Sequence, residues 1–282
     1  MNFFKYHGAG NDFVLIDNRE GKISEERKPD LGRQLCNRRF GIGGDGLMLV
    51  ETSSKADSKM RIFNPDGSEP GMCGNGIRCV AKYVYDNIIK KDEIAIETLA
   101  GVKNVRLYKE KETTYVRVNM GRPLFERKDI PATGEDRLLR EKIEVDGREF
   151  EIYAVNTGVP HVIIFVEDIK RTDVINIGRA VRNHSLFPEG TNVNFLEIVR
   201  ANLFKIRTYE RGVEDETLAC GTGITAAGVI GVIVGEADPE EPIEIVAKGG
   251  TVYIEAEMKD TEIETAFMRG PVEFVFEGEI DV

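Results

Sequence analysis

The chain has 282 residues, 41% of them hydrophobic, and a formal net charge of −11, enough length and apolar content to bury a core in two domains of ordinary size. Its acidic balance excludes the basic footprint expected of a nucleic-acid or anionic-membrane surface. The stretch Met1–His7 carries no apolar run of the secretory kind, so the expected location is the cytoplasm.

In chain order, alternation and short apolar runs predict strands near 2–6, 12–17, 46–51, 59–63, 93–98, 102–109 and 114–120. Between the fourth and fifth, Gly74–Lys90 carries Ile77, Val80, Ala81, Val84 and Ile88 at helical spacing and reads as a helix. Arg122–Arg140, with two prolines and many charges, reads as a connection. Strands follow near 142–154, 161–166, 193–199, 203–209, 242–247, 251–258, 262–268 and 272–277. Gly221–Gly235 is apolar all round; its Val and Ile content would suit a buried strand, but its length favours an enclosed helix. It is too short to span a bilayer.

The two halves keep a common register. Gly-Met-Cys73-Gly-Asn-Gly-Ile and Leu-Ala-Cys220-Gly-Thr-Gly-Ile lie 147 residues apart. Gly10 and Gly158, Gly43 and Gly190, and Met120 and Met268 repeat at offsets of 147 or 148. An internal duplication explains four anchors better than chance likeness of Gly-rich turns. The expected fold is therefore α+β: two pseudo-symmetric β-rich lobes, each wrapped around a central helix, with the active site in the cleft between them. The expected lobes are 1–124 and 125–267, with a last strand near 268–282 returning to the first.

Four cysteines could signal a disulfide framework or zinc, but the chain is not a small secreted domain, and no motif cysteine has a second ligand at zinc spacing. No metal is expected. Cys36 and Cys79 read as core packing. Cys73 and Cys220 differ, since each precedes a Gly-x-Gly turn that opens a helix, where N–H groups and the helix dipole favour a thiolate. One such thiol suggests a nucleophile; a matched pair suggests two proton-transfer groups. An acid and a base on opposite faces of an amino-acid α-carbon can invert it without pyridoxal chemistry, provided oriented donors hold the carboxylate. No cofactor signature is visible.

His7-Gly8-Ala9-Gly10-Asn11-Asp12-Phe13, Phe63-Asn64-Pro65-Asp66-Gly67-Ser68, Met72-Cys73-Gly74-Asn75-Gly76, Tyr209-Glu210-Arg211-Gly212 and Ala219-Cys220-Gly221-Thr222-Gly223 stand in the order found in the diaminopimelate epimerases. The chain resembles that family over essentially its whole length. The resemblance implies interconversion of LL- and meso-2,6-diaminoheptanedioate in lysine biosynthesis, without a cofactor, in a homodimer. It implies that Cys73 and Cys220 are the acid/base pair, and that backbone groups of Gly74, Asn75, Gly221 and Thr222 hold the reacting carboxylate. Asn11, Asn64, Asn192, Glu210 and Arg211 would read the substrate's polar groups, while His161 and Glu210 would modulate cysteine acidity. From local pattern alone, Asn11 and Asn64 read as turn residues, Glu210-Arg211 as either a functional or an exposed charge pair, and His161 as a hydrogen-bonded core histidine. Val159 and Gly46 depart from the family pattern, which has Asn and Gln there; Asn156 is a candidate to replace the first contact. Phe276 stands where relatives use a dimer-contact Tyr. The competing readings are a proline-type racemase and a redox protein joining Cys73 to Cys220.

Overall fold

The computed structural model describes residues 1–281. Its strands are β1 (Asn2–Gly8), β2 (Asn11–Asp17), β3 (Gly46–Glu51), β4 (Ser58–Phe63), β5 (Glu93–Thr98), β6 (Gly101–Glu110), β7 (Thr113–Gly121), β8 (Leu139–Val145), β9 (Arg148–Asn156), β10 (Pro160–Phe165), β11 (Asn192–Arg200), β12 (Leu203–Glu210), β13 (Asp215–Thr217), β14 (Ile243–Ala247), β15 (Gly250–Lys259) and β16 (Glu262–Glu279). The helices are α1 (Lys28–Leu35), α2 (Gly74–Asn87), α3 (Val174–Arg182) and α4 (Gly221–Ile233). The chain forms two compact units, Met1–Asn119 with the residues from Arg269 onward, and Met120–Met268. The expected mixed, strand-rich fold with few helices is the one observed.

In the first unit β1 and β2 are antiparallel, β2 and β3 parallel, β3 and β4 antiparallel, β4 and β5 parallel, and β5, β6 and β7 successively antiparallel. β16 lies beside β7 and pairs back onto β1, which closes an eight-strand barrel and removes its free edges. α2 occupies the interior, packed against β1 through β6. α1 lies outside, where Leu31 and Leu35 bury against Val14, Ile16, Leu47 and Leu49. β2 and β3 are thus covered on both faces, so they read as continuous apolar runs rather than alternating ones.

From β9 onward the second unit repeats this order of pairings, with β13 added beside β12. β9 and β10 are antiparallel, β10 and β11 parallel, β11 and β12 antiparallel, β12 and β14 parallel, and β14 and β15 antiparallel, with β16 next. α4 packs against β9, β10, β11, β12, β14 and β15, as α2 does in the first unit. α3 covers the outer face, burying Val174 and Val181 with Val162, Val193 and Phe195. One close approach recurs: a Cβ on Gly32 of α1 would lie 2.9 Å from Phe63 Cβ, and one on Gly178 of α3 would press on Tyr209 in the same way. Both pairs are offset by 146 residues, so the packing is duplicated along with the motifs.

Three expectations need correction. The run 142–154 is a hairpin of β8 and β9, turned by Asp146 (φ 50°) and Gly147 (φ 72°), the left-handed pair that an Asp-Gly turn supplies. Residues 262–268 and 272–277 belong to one long strand, β16, because Pro271 does not interrupt it. α2 stops at Asn87, where the N–H groups of Ile88 and Ile89 both turn back to the Val84 carbonyl. Among the described residues, no helix is long and apolar enough to cross a membrane.

Candidate active site

Cys73 is the N-cap of α2, in extended conformation (φ −135°, ψ 120°), and its Sγ accepts the Gly76 N–H at 3.4 Å. A sulfur there meets the positive end of the helix dipole and an oriented donor, both of which favour the thiolate. An acceptor for the protonated form is also near, since Asn11 Oδ1 lies 4.0 Å away. That amide has a fixed orientation: Asn11 Nδ2 donates to Asp45 Oδ2 at 2.6 Å, and a carboxylate only accepts. Asn11 Oδ1 therefore faces Cys73 and Asn75, whose Nδ2 donates to it at 3.2 Å. Asp45 is held in turn by Arg38 at 2.7 Å and by the Asp12 N–H at 3.1 Å.

Beneath Cys73 lies Arg78, whose guanidinium is wholly buried and donates to the carbonyls of Gly74 (3.3 Å) and Pro271 (3.2 Å). Burial pulls it down to about 10, with the nearby Cys79 and Cys73 thiols acting in the opposite sense. Gly8 and Gly270 make room for it; a Cβ on either would come within 2.9 Å of the guanidinium. Asn64 Nδ2 donates to Ser68 Oγ at 2.9 Å, within the turn after β4. Cys36 and Cys79 are buried, and burial pushes both thiols up to about 12, as packing cysteines.

In the second unit Cys220 is the N-cap of α4, also extended (φ −106°, ψ 111°). Its Sγ lies 3.4 Å from Thr222 Oγ1, which lies 2.8 Å from His161 Nε2. His161 is fully buried; desolvation first, and the Arg211 guanidinium second, push it down to about 3, so the ring is neutral at physiological pH. The Thr222 hydroxyl thus stands between His161 and Cys220. Asn192 is buried and braces two segments: its Nδ2 donates to the Pro160 carbonyl and its Oδ1 accepts the Arg211 N–H, both at 2.9 Å. Arg211 Nη1 donates to the carbonyls of Glu189 (3.1 Å) and Gly190 (3.0 Å), so the side chain is anchored rather than a solvated charge. Glu210 ends β12 and is half-buried. Both ends of the Asn156 amide are engaged, donating to the distant Asp129 carbonyl at 2.6 Å and accepting the Gly158 N–H of its own turn at 2.9 Å. At the other departure, a Cβ on Gly46 would sit 3.3 Å from the Phe13 ring, so Phe13 covers this position.

The residues that sequence reading passed over are Asp45, Arg78 and Asn194, whose Nδ2 lies 3.1 Å from His161 Nδ1. Arg78 carried a signal: it lies four residues after Gly74, one helical turn beyond the cysteine. Asp45 and Asn194 carried none, because each acts through the side chain of another strand.

The sequence model of the diaminopimelate epimerase family matches residues 3–126 and 153–275. A diaminopimelate epimerase of Archaeoglobus fulgidus is 46% identical over 277 residues, 98% of this chain and 95% of that protein. One from Methanothrix thermoacetophila is 46% identical over 279 residues, 99% and 95% of the two chains. Among solved structures, a phenazine biosynthesis protein of the PhzF family from Bacillus anthracis superposes with a TM-score of 0.74 at 19% identity, covering 100% of this chain and 99% of that one. A probable proline racemase from Agrobacterium radiobacter gives 0.71 at 16% identity, covering 100% and 93%. At those identities the structural likeness carries the two-lobed fold alone.

Proposed function

This chain belongs to the diaminopimelate epimerase family and is an isomerase, and we propose that it inverts one α-carbon of 2,6-diaminoheptanedioate, LL to meso and back, by proton transfer between Cys73 and Cys220, as a step of lysine biosynthesis. The observation that carries the mechanism is the repeated placement of a cysteine as the N-cap of an enclosed helix, in two units of one topology. In the forward step the thiolate of one cysteine takes the α-hydrogen: the C–H bond breaks, an S–H bond forms, and the electron pair stays on the α-carbon. The other cysteine's thiol gives its proton to the opposite face, forming the new C–H bond and leaving a thiolate. The cysteines exchange protonation states, so the enzyme leaves each turnover poised for the reverse reaction. Cys73 suits both states, having the Gly76 N–H for its thiolate and Asn11 Oδ1 for its thiol.

The developing negative charge spreads into the substrate carboxylate, where oriented N–H groups stabilise it most. Those donors are the first-turn amides at Gly74 and Asn75 of α2 and Gly221 and Thr222 of α4, at helix N-termini, where the N–H groups and the dipole favour an anion. Asn11, Asn64, Asn192, Glu210 and Arg211 read the amino and distal groups of the substrate, with Glu210 and His161 adjusting cysteine acidity. The acting form is a homodimer through β16, where Phe274, Val275 and Phe276 are exposed.

The test is reduced enzyme with LL-diaminoheptanedioate in deuterated water and no added cofactor. The expected result is meso product carrying one solvent deuteron at the inverted carbon. No inversion under these conditions, or inversion of free proline instead, overturns the proposal.

A further inference from the structure

The two units share a topology but differ beneath their cysteine-bearing helices. In the first, the inward position of β3 facing α2 is Met48, and a Cβ on Gly76 would run into Met48 Cε. In the second, the inward positions of β10 and β11 are His161 and Asn194; a Cβ on Gly223 would run into Asn194 Oδ1 and lie 3.3 Å from His161 Cε1. Gly76 and Gly223 are equivalent, 147 residues apart. Both His161 and Asn194 are 0% exposed, and buried polar groups cost free energy unless fully paired. The fold does not require them, because the first unit makes the same helix–strand approach over an apolar side chain.

Their hydrogen bonds have one allowed direction. Asn194 Nδ2 donates to the Val162 carbonyl at 2.9 Å, and its Oδ1 accepts the Thr208 hydroxyl at 2.9 Å. A carbonyl only accepts, so the amide cannot be turned over. The second hydrogen on Asn194 Nδ2 then faces His161 Nδ1 at 3.1 Å, making that nitrogen the acceptor. In a neutral imidazole the proton must sit on Nε2, which donates to Thr222 Oγ1 at 2.8 Å. With Thr222 Oγ1 serving His161 as an acceptor, its own hydrogen is left to point at Cys220 Sγ, 3.4 Å away.

We propose that Asn194 is a positioning residue for the reaction: it locks His161 in the Nε2–H tautomer and so aims the Thr222 hydroxyl hydrogen at Cys220, favouring the thiolate there. The catalytic part of this statement rests on the reading of Cys220 as an acid/base group; the tautomer does not. Because burial and the Arg211 guanidinium keep the ring neutral, the direction of the chain persists across the working pH range.

Nitrogen-15 labelling of histidine tests this directly, since the chain has three, His7, His161 and His184, and the ring nitrogens of the two tautomers give distinct spectra. The reduced wild-type enzyme should show His161 as Nε2–H. Asn194→Asp, studied at pH 8 where its carboxylate only accepts, should show Nδ1–H, with kcat lowered about ten- to hundredfold, the worth of one hydrogen bond to a charged group, and KM little changed. Asn194→Leu, which holds neither tautomer, should show a mixture. Nδ1–H in the wild-type enzyme overturns the proposal without any variant. So does Asn194→Asp that switches tautomer yet keeps wild-type kcat, or that loses kcat with the Nε2–H form retained. Cys220→Ala measured alongside separates the two readings: inversion surviving in that variant removes the acid/base role and leaves the tautomer result standing.

Discussion

Gly223 leaves no room between α4 and Asn194, whose Oδ1 occupies the space a Cβ would need. Asn194 cannot swing away without giving up the Val162 carbonyl and the Thr208 hydroxyl. Met48, which faces Gly76 in the first unit, ends in a flexible thioether that can move. Gly223→Ala is therefore expected to cost about 2–3 kcal/mol and Gly76→Ala less than about 1.5 kcal/mol. Urea unfolding at unchanged slope measures the difference; equal losses would mean that Asn194 moves as freely as Met48.

Thr222 sets its hydroxyl between His161 Nε2, at 2.8 Å, and Cys220 Sγ, at 3.4 Å. Thr222→Val leaves a buried ring N–H without its acceptor, which costs about 1–3 kcal/mol, and removes the donor to Cys220. We expect kcat to fall at least about tenfold and Thr222→Ser to restore most of it. Steady-state kinetics of the pair checks this, and a valine variant as active as the serine one refutes it.

Asp45 orients Asn11 from outside the site. Asp45→Ala frees the Asn11 amide to turn its NH2 toward Cys73, so kcat should drop about tenfold, the worth of one hydrogen bond. Its carboxylate is partly exposed, so the ion pair with Arg38 contributes less than about 1 kcal/mol to stability. Kinetics and a melting curve on one sample separate the effects; loss of both in proportion would make Asp45 structural.

Acid should destabilise the chain in two windows. His161 titrates near 6.5 when unfolded but near 3 when folded, so the unfolded state takes up the proton first and stability drains as pH falls from 6.5 toward 3. For Asp12, burial pushes the carboxyl up, but hydrogen bonds from Arg38 and Lys5 outweigh it and hold the group at about 2. Its stabilisation is complete above the unfolded value of 3.8 and is lost between there and about 2. Each slope is at most about 1.4 kcal/mol per pH unit. Urea titrations at several pH values should find His161→Gln flattening the upper window and Asp12→Asn the lower one. A wild-type stability independent of pH between 6.5 and 4 contradicts the burial of a neutral His161.

The duplicated architecture was legible because the motifs at Cys73 and Cys220 carry glycines that the packing requires: Gly76 and Gly223 are where a strand side chain meets the helix. Central helices were legible from length and apolar content, although α4 has no polar face to mark its orientation. The β8–β9 hairpin was missed because apolar residues continue on both sides of Asp146-Gly147, although that dipeptide is itself a turn signal. α3 was missed because its nine residues carry only a short apolar stripe; Val174 and Val181 bury while Asn176 and Arg179 are exposed. Asp45 and Asn194 were illegible because their partners, Asn11 and His161, lie more than 30 residues away in sequence and meet them only once β2 pairs with β3 and β10 with β11.

The central claim is that two cysteines divide the work, one removing the α-hydrogen and the other supplying its replacement. The decisive measurement follows both inversion and deuterium uptake in Cys73→Ala and Cys220→Ala, each offered LL- and meso-diaminoheptanedioate in deuterated water under reducing conditions. Each variant should lose inversion, and any exchange that persists should occur with retention, on the epimer whose α-hydrogen faces the remaining cysteine. Inversion at near wild-type rate in either variant contradicts the two-cysteine mechanism.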